Sequence, residues 1–171
     1  MRKKILLLIF LSFFLFQNRA AAIELNNIKK LFSIISVEYK NYNIYVDESI
    51  SLFGAKLKSF VNSNFYWGPA GFAAISGKRA GYLEGGLILG YQFGDKIVFG
   101  AELFSGAGGG GSAPQGGGLI INPNCSLNYY FSNDLSIGAN IGYIQFLNGK
   151  IASLTLGFNI GLNIWNVVYE K

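Results

Sequence analysis

Apolar residues alternate with polar or small residues over most of the chain beyond residue 30. The alternation is longest at residues 153–165, where leucine, isoleucine and phenylalanine occupy every second position and serine, threonine, glycine and asparagine lie between them. Successive side chains of a strand point to opposite faces, so a period of two indicates strands with two unlike faces. The pattern predicts eight strands, at residues 32–43, 49–60, 65–75, 83–93, 97–104, 119–131, 135–143 and 153–165.

The connections between these segments are of two kinds. Tight turns rich in Asn, Ser, Asp and Gly follow the second, fourth and sixth segments, at residues 62–64, 94–96 and 132–134. The other connections span residues 43–48, 76–81, 105–118 and 147–150. Tight turns at one end and longer loops at the other are typical of an up-and-down barrel of the outer membrane, with both ends of the chain on the tight-turn side.

A period of two does not tell whether the apolar faces point outward, as in a membrane barrel, or inward, as in a soluble lipocalin-like barrel. The opposite faces are rich in Gly and Asn with few charges, which suits the crowded interior of an eight-stranded barrel. A water-facing surface carries many more Lys and Glu. We therefore predict that the apolar faces point outward.

Aromatic residues concentrate near both ends of the strands and predict two interfacial girdles. The girdle near the tight turns would consist of Phe60, Phe65, Trp67, Tyr91, Phe93, Tyr129, Phe131 and Trp165. The opposite girdle would consist of Tyr42, Tyr45, Phe72, Tyr82, Phe104, Tyr143 and Phe146.

Residues 1–22 have the three parts of a secretory signal peptide. Arg2, Lys3 and Lys4 precede an apolar run at residues 5–16, and a small-residue tract ends at Ala22. The run of 12 residues is shorter than the roughly 20 that a transmembrane helix needs. We expect cleavage after Ala22 and a single barrel domain over residues 23–171.

Composition excludes several classes of function. The chain is 51% hydrophobic and only 13% charged, where about 25% charged is ordinary. It has no His, which excludes Ser-His-Asp and Cys-His catalysis and imidazole metal sites. Cys125 is the single cysteine and cannot form an internal disulfide. We predict no catalytic residue, no cofactor, no metal and no enzymatic activity.

The formal charge of +5 comes mostly from the leader. Residues 23–171 contain 10 basic and 9 acidic residues, and the basic ones form no cluster. A phosphate-binding surface needs clustered Lys and Arg, so we predict that nucleic acid is not a partner.

The leader, the alternating strands with aromatic ends, the tight Asn/Asp turns and the long final strand ending at Trp165 resemble the small outer-membrane barrels of the OmpA transmembrane-domain, OmpX and OmpW kind. The resemblance is architectural and covers most of residues 30–165. It implies an all-β, closed, eight-stranded antiparallel up-and-down transmembrane barrel, surrounded by the lipid of the bacterial outer membrane. The tail at residues 166–171 departs from such barrels, which often end on the aromatic residue of the final strand.

Two prolines disagree with the strand pattern. Pro69 and Pro123 lie inside predicted strands, where proline removes a ladder hydrogen bond. Each must mark a bulge, a strand end or an incorrectly placed boundary.

Five charged residues fall on the faces predicted to point inward and form a predicted lumen charge cluster: Glu38, Lys40, Lys56, Glu84 and Glu102. Buried charges must be paired, so we predict a salt-bridged plug. The alternative is a gate or a narrow polar conduit. An eight-stranded interior is just wide enough for its side chains to fill it, which favours the plug.

Residues 105–118 hold 8 of the 23 Gly and are predicted to form an exposed loop, represented by Gly106, Gly108, Gly111, Pro114, Gln115 and Gly118. The first three glycines satisfy a literal G-x-G-x-x-G, but no helix-forming segment follows to bind a pyrophosphate. A flexible surface loop is the simpler interpretation. The alternative is that the glycines allow close backbone packing into the barrel mouth or against a ligand.

The sequence therefore predicts a barrel with a structural or surface-interaction role and a surface or periplasmic protein partner. Two alternatives remain. One is transport of a small or apolar solute through a gated lumen or a side opening. The other is a soluble periplasmic binding barrel with an apolar ligand inside.

Overall fold

A computed structural model describes the backbone of residues 28–169 and the side chains of residues 32–164. It contains eight strands: β1 (Ile28–Tyr45), β2 (Glu48–Phe60), β3 (Phe65–Ser76), β4 (Leu83–Phe93), β5 (Ile97–Gly109), β6 (Leu119–Tyr130), β7 (Leu135–Phe146) and β8 (Ala152–Tyr169). All eight predicted strands are present, although β5 extends beyond its predicted end at residue 104. The predicted signal peptide at residues 1–22 and the side chain of Trp165 lie outside the described residues. No helix within the described ranges is long and apolar enough to cross a membrane.

The strands form one closed antiparallel barrel in chain order. The side chain of Ser153 in β8 accepts a hydrogen bond from the backbone N–H of Asn43 in β1, at 3.0 Å. The turns at residues 61–64, 94–96 and 131–134 define the tight-turn end of the barrel. The turn at residues 46–47 and the loops at residues 77–82, 110–118 and 147–151 define the loop end. The predicted fold class is confirmed.

The apolar face of each strand points outward. In β8, Leu154 and Phe158 are 64% and 67% exposed, whereas Thr155 between them is buried. Soluble proteins rarely expose large contiguous apolar surface, and a closed sheet pairs its backbone groups internally, as hydrocarbon requires. This arrangement is the one expected of a membrane-spanning barrel and is opposite to that of a soluble lipocalin-like barrel.

The predicted aromatic girdle exists at the tight-turn end but not at the loop end. Six of the predicted aromatic residues at the tight-turn end face outward: Phe65, Trp67, Tyr91, Phe93, Tyr129 and Phe131. Phe60 instead faces the interior. At the loop end only Tyr45 and Tyr143 are exposed. The prediction is wrong for five residues, which are buried: Tyr42, Phe72, Tyr82, Phe104 and Phe146. Proximity to a strand end does not fix the side of the sheet to which a ring points.

The two strand prolines interrupt one ladder each. Pro69 lies in a continuous ladder with β4, but the pairing of β3 with β2 skips it. Pro123 lies in a continuous ladder with β5, and the pairing of β6 with β7 skips it. The register is the same on both sides of each interruption. Each proline therefore lies within its strand without a bulge, and its missing N–H donor costs hydrogen bonds towards one neighbour only.

The predicted loop at residues 105–118 begins too early, because β5 continues to Gly109. Gly106 and Gly108 are strand residues paired with Gly86 and Glu84 of β4. Glycine leaves no side chain to mark the two faces of a strand, so the period of two is not visible in this part of the sequence. The loop itself spans residues 110–118 and is called the lid below.

Candidate functional site in the barrel interior

Lys56 of β2 lies between two carboxylates at the middle of the lumen. Its Nζ is 2.7 Å from Oε2 of Glu38 and 2.6 Å from Oε1 of Glu102. Glu38 is contributed by the neighbouring strand β1, diagonally across the β1–β2 ladder, whereas Glu102 comes from β5 on the other side of the barrel. The ammonium group therefore links strands that are not neighbours in the sheet.

A second ion pair joins Lys40 of β1 to Glu84 of β4. Oε1 of Glu84 also accepts hydrogen bonds from the hydroxyls of Tyr42 at 2.5 Å and Tyr82 at 3.1 Å. The Lys40 ammonium lies 3.8 Å from the centroid of the Phe72 ring. All five residues of the predicted charge cluster are thus buried and ion-paired in the lumen, and we call them the interior ion network.

Inward-facing glycines make room for the large side chains of the lumen. A Cβ on Gly54 would lie 2.5 Å from the ring of Phe72, and one on Gly90 would lie 2.3 Å from the ring of Tyr66. Each ring lies over the glycine that is paired with it on the neighbouring strand. Glycine at these two inward-facing positions therefore leaves room for an aromatic ring.

The interior is nearly solid at the level of the network. The cavity between its charged groups and the side chains of Asn122, Asn140 and Thr155 has a volume of about 10 Å³, enough for about one water molecule. Towards the loop end the lumen holds buried apolar residues: Ile44, Ile50, Ala113, Ile120, Ile144, Phe146 and Ile151. This apolar layer, called the cap, lies beneath the lid.

Several interior residues are not predicted from the sequence. Lys58 is buried on the same face of β2 as Lys56, and Tyr66 donates a hydrogen bond to Glu102 at 3.0 Å. Their proximity to strand ends predicts a girdle position for Tyr42 and Tyr82, but both hydroxyls donate to Glu84. Residues an even number of positions apart in a strand share a face. Lys58 therefore shares a face with Lys56, and Tyr42 shares a face with Lys40, so this rule could have predicted both. Tyr82 lies outside the strands, where parity gives no signal.

The lid is a folded part of the loop end and not an extended loop. Gly111, Pro114 and Gln115 are half-buried, and Gly118 is buried. Ala113 packs into the cap. The interpretation as a flexible surface loop is therefore not supported, whereas close backbone packing into the barrel mouth describes the lid.

Neighbouring loops hold the lid on two sides. On one side, the Arg79 guanidinium donates to the carbonyl oxygen of Ser112 at 2.7 Å. On the other, the backbone N–H of Lys150 donates to the carbonyl oxygen of Pro114 at 3.0 Å. Gly116 approaches the β7–β8 loop so closely that a Cβ would lie 1.7 Å from the Asn148 carbonyl oxygen.

Arg79 also binds Glu48, the first residue of β2. Its Nε and one terminal nitrogen donate to the two carboxylate oxygens at 2.6 and 2.9 Å. The surrounding β1–β2 hairpin carries polar pairs on its outer side, Asn41 with Ser51 and Asn43 with Ser49, so Glu48 lies beyond the apolar band. The hydrogen bonds from Arg79 hold the pKa of the Glu48 carboxyl below its usual value.

We expect acid to loosen the lid through Glu48. A carboxyl whose pKa is lowered by folding stabilises the folded state fully above its unfolded pKa of about 4.3, and this contribution is lost as the pH falls through the lowered value. Hydrogen-exchange protection of the Ala113 amide, which donates to Gly110 within the lid, should fall between pH 6 and pH 3. In Glu48→Gln it should already be low at pH 6.

Asp95→Asn, at the opposite end of the barrel, is the matched control and should behave as the native protein. Neighbouring Lys78 also lowers the Glu48 pKa, so Lys78→Met should shift the transition upward slightly without abolishing it. Equal protection in native and Glu48→Gln protein at pH 6 would contradict a role for this ion pair in holding the lid.

Other chemistry-bearing groups are sparse. The described part of the chain holds no group of three or more Cys, Asp or Glu side chains placed to bind a metal ion. Cys125 is exposed on the outer face of β6, paired with Ala101 of β5. The charged side chains of the interior ion network therefore remain the main chemical groups of the described strands.

Comparison with solved structures finds other barrels of this kind. The N-terminal β-barrel domain of Pseudomonas aeruginosa OprF is similar with a TM-score of 0.54 and 13% identity, over 78% of this chain and 97% of that domain. Neisserial surface protein A (NspA) is similar with a TM-score of 0.51 and 8% identity, over 81% of this chain and 99% of that protein. No protein-family model matches the sequence, and no curated protein matches it. The predicted resemblance to small outer-membrane barrels is confirmed for the fold.

Proposed function

We propose that this chain is an outer-membrane barrel with a sealed lumen and a structural or surface-interaction role, which presents its loop end to the exterior. The close packing around the interior ion network is the observation that supports the proposal. The interior ion network leaves a cavity of about 10 Å³, and the cap and the lid close the loop end above it. We therefore expect this interior to offer a solute no path.

The loop end supports the surface-interaction role. The lid is fastened to loops on both sides and presents a defined surface. Exported barrels of the outer membrane carry their longer loops outside, so this surface would face the exterior. A protein that binds there would meet an ordered backbone and would pay little for ordering it.

Location and closure are tested by fractionation and gel mobility. We expect the protein to stay in the outer-membrane fraction after carbonate extraction, because its apolar exterior needs lipid. We also expect unheated and boiled samples to migrate differently in SDS gels, since a closed barrel resists the detergent until heated. Recovery in the soluble periplasm without a mobility difference would refute the membrane assignment.

Orientation is tested with a membrane-impermeant amine reagent on intact cells. Lys78 and Lys150 are exposed at the loop end, and Lys96 is exposed in a tight turn. We expect Lys78 and Lys150 to react in intact cells and Lys96 to react only after the envelope is opened. Labelling of Lys96 alone in intact cells would mean that the barrel is inserted in the opposite direction.

The sealed lumen is tested by conductance. We expect no stepwise current when the refolded protein is added to a planar bilayer, with an open porin as the positive control. Reproducible current steps would refute the sealed lumen and favour the transport alternative.

A further inference from the structure

The outer wall of the barrel carries a groove between β4 and β7, with a volume of about 750 Å³. Its floor consists of three small side chains, Ala101 of β5 and Pro123 and Cys125 of β6. Ala101 is paired with Cys125 in the β5–β6 ladder. The next residues along this row are larger, Tyr91 of β4 on one side and Ile141 of β7 on the other. Two small residues between two large ones therefore form a depression in the wall.

The side chains around the floor that face outward are aliphatic or aromatic. Leu89, Leu103 and Leu154 line the groove and are 49%, 41% and 64% exposed, so they point away from the lumen. The groove is therefore continuous with the outward apolar face of the barrel. In a membrane-spanning barrel this face contacts lipid hydrocarbon.

The two ends of the groove lie at different depths of the barrel wall. At one end it is lined by Phe65 and Tyr91, which are paired across the β3–β4 ladder and belong to the aromatic girdle at the tight-turn end. At the other it is lined by Tyr143 and Leu154, which are paired near the loop end of β7 and β8. Amphipathic rings such as that of Tyr91 lie at the level of lipid headgroups. A lipid with its headgroup at this girdle would direct its chain along the groove.

We propose that the groove binds one acyl chain of a phospholipid whose headgroup lies at the aromatic girdle of the tight-turn end. A flexible chain follows the floor and gains dispersion contacts with it that a void would forfeit. Sixteen groups of the size of a water molecule, about 30 Å³ each, fill about 480 Å³, which the groove accommodates. The inference rests on the membrane location proposed above and does not depend on the sealed lumen.

A second copy of the chain would fit this groove less well. A two-fold dimer through the same wall places the same patch of both copies in contact. Two concave floors would then face each other and leave a void without dispersion contacts. Cys125 reports on this alternative, because such a dimer would bring the two Cys125 side chains close enough to cross-link on mild oxidation.

The test measures the phospholipid that the barrel retains in mild detergent. Refolded protein is first checked for the heat-dependent gel shift, so that a failed membrane assignment is recognised before lipid binding is measured. It is then reconstituted in vesicles of phosphatidylethanolamine and phosphatidylglycerol, extracted, and examined by native mass spectrometry. We expect one retained phospholipid per barrel.

Filling the floor of the groove should release this lipid. Ala101→Leu should weaken retention by about tenfold, the effect of withdrawing about two methylene groups from apolar contact. The matched control is Ala139→Leu, which makes the same change at an exposed position of β7 outside the groove. It should retain the lipid as the native protein does.

A photoreactive lipid locates the site in the native protein, even if Ala101→Leu does not refold. Phosphatidylethanolamine with a diazirine on one acyl chain should label the peptides that contain Ala101 and Cys125 more than the peptide that contains Phe158, which is exposed on β8 outside the groove. Several results would overturn the proposal: no lipid retained by the folded native barrel, equal retention in Ala101→Leu and native protein, even labelling of the three positions, or a dimer cross-linked through Cys125 in place of retained lipid.

Discussion

Lys56→Met should lower the free energy of unfolding by about 3–5 kcal/mol, the range measured when one partner of a buried ion pair is removed. The reason is that this ammonium neutralises two carboxylates at once. Without it, Glu38 and Glu102 remain buried in the lumen, where their negative charges are desolvated and repel each other. Urea unfolding of the refolded barrel, followed by tryptophan fluorescence, measures the loss.

The size of this effect depends on the charges left behind, so removing them should restore stability. The triple variant Lys56→Met with Glu38→Gln and Glu102→Gln leaves no unpaired charge at this site and should recover much of the loss. Lys150→Met removes an exposed lysine at the loop end and should change stability by no more than about 0.5 kcal/mol. If the triple variant is as unstable as Lys56→Met, lost packing and not unpaired charge would be the cause.

Gly116→Ala should detach the lid from the β7–β8 loop. Gly116 has φ +58°, in the left-handed region that costs a residue with a Cβ about 1–2 kcal/mol. Its added Cβ would also meet the Asn148 carbonyl oxygen at 1.7 Å, a distance that only backbone movement can relieve. We expect the lid to move away from this loop and the free energy of unfolding to fall by at least about 2 kcal/mol.

The next glycine of the lid provides the matched control. A Cβ on Gly117 would have its nearest contact at 3.5 Å, with the Asn148 side chain, which is an ordinary van der Waals distance. Gly117→Ala should therefore leave the lid in place. Hydrogen exchange of the Lys150 amide distinguishes the two variants, because this N–H donates to Pro114 of the lid. It should exchange faster in Gly116→Ala only, and equal rates would contradict the close packing of the lid.

The strands could be predicted from the sequence because one face of each strand bears mostly apolar residues and the other bears mostly polar or small ones. Once the aliphatic face is assigned to the exterior, parity alone places Glu84 and Glu102 in the lumen. It does not say which lysine each carboxylate meets, since Lys56 and Glu102 come from strands on opposite sides of the barrel. That pairing depends on the barrel closing with one particular register.

The loop end was harder to predict for a different reason. Gly106 and Gly108 continue β5, but a run of glycines has no alternation to read. The conformation of the lid depends on Arg79 and Lys150, which are distant in the sequence. Phe72 and Phe104 meet edge to face inside the barrel at 6.1 Å, although proximity to strand ends had suggested the membrane interface. In each case a tertiary contact decides what the local sequence leaves open.

The chain-order topology also bears on the sequence of folding events. Seven of the strand pairings join neighbours in the chain and can grow one hairpin at a time. The eighth closes the barrel between β1 and β8, where the contact of Asn43 with Ser153 spans 110 positions, and loop-closure entropy opposes such a long-range pairing. Until it forms, the two outer strands keep unpaired N–H and C=O groups that can capture another chain. Closure of this seam is therefore the step at which productive folding and aggregation compete.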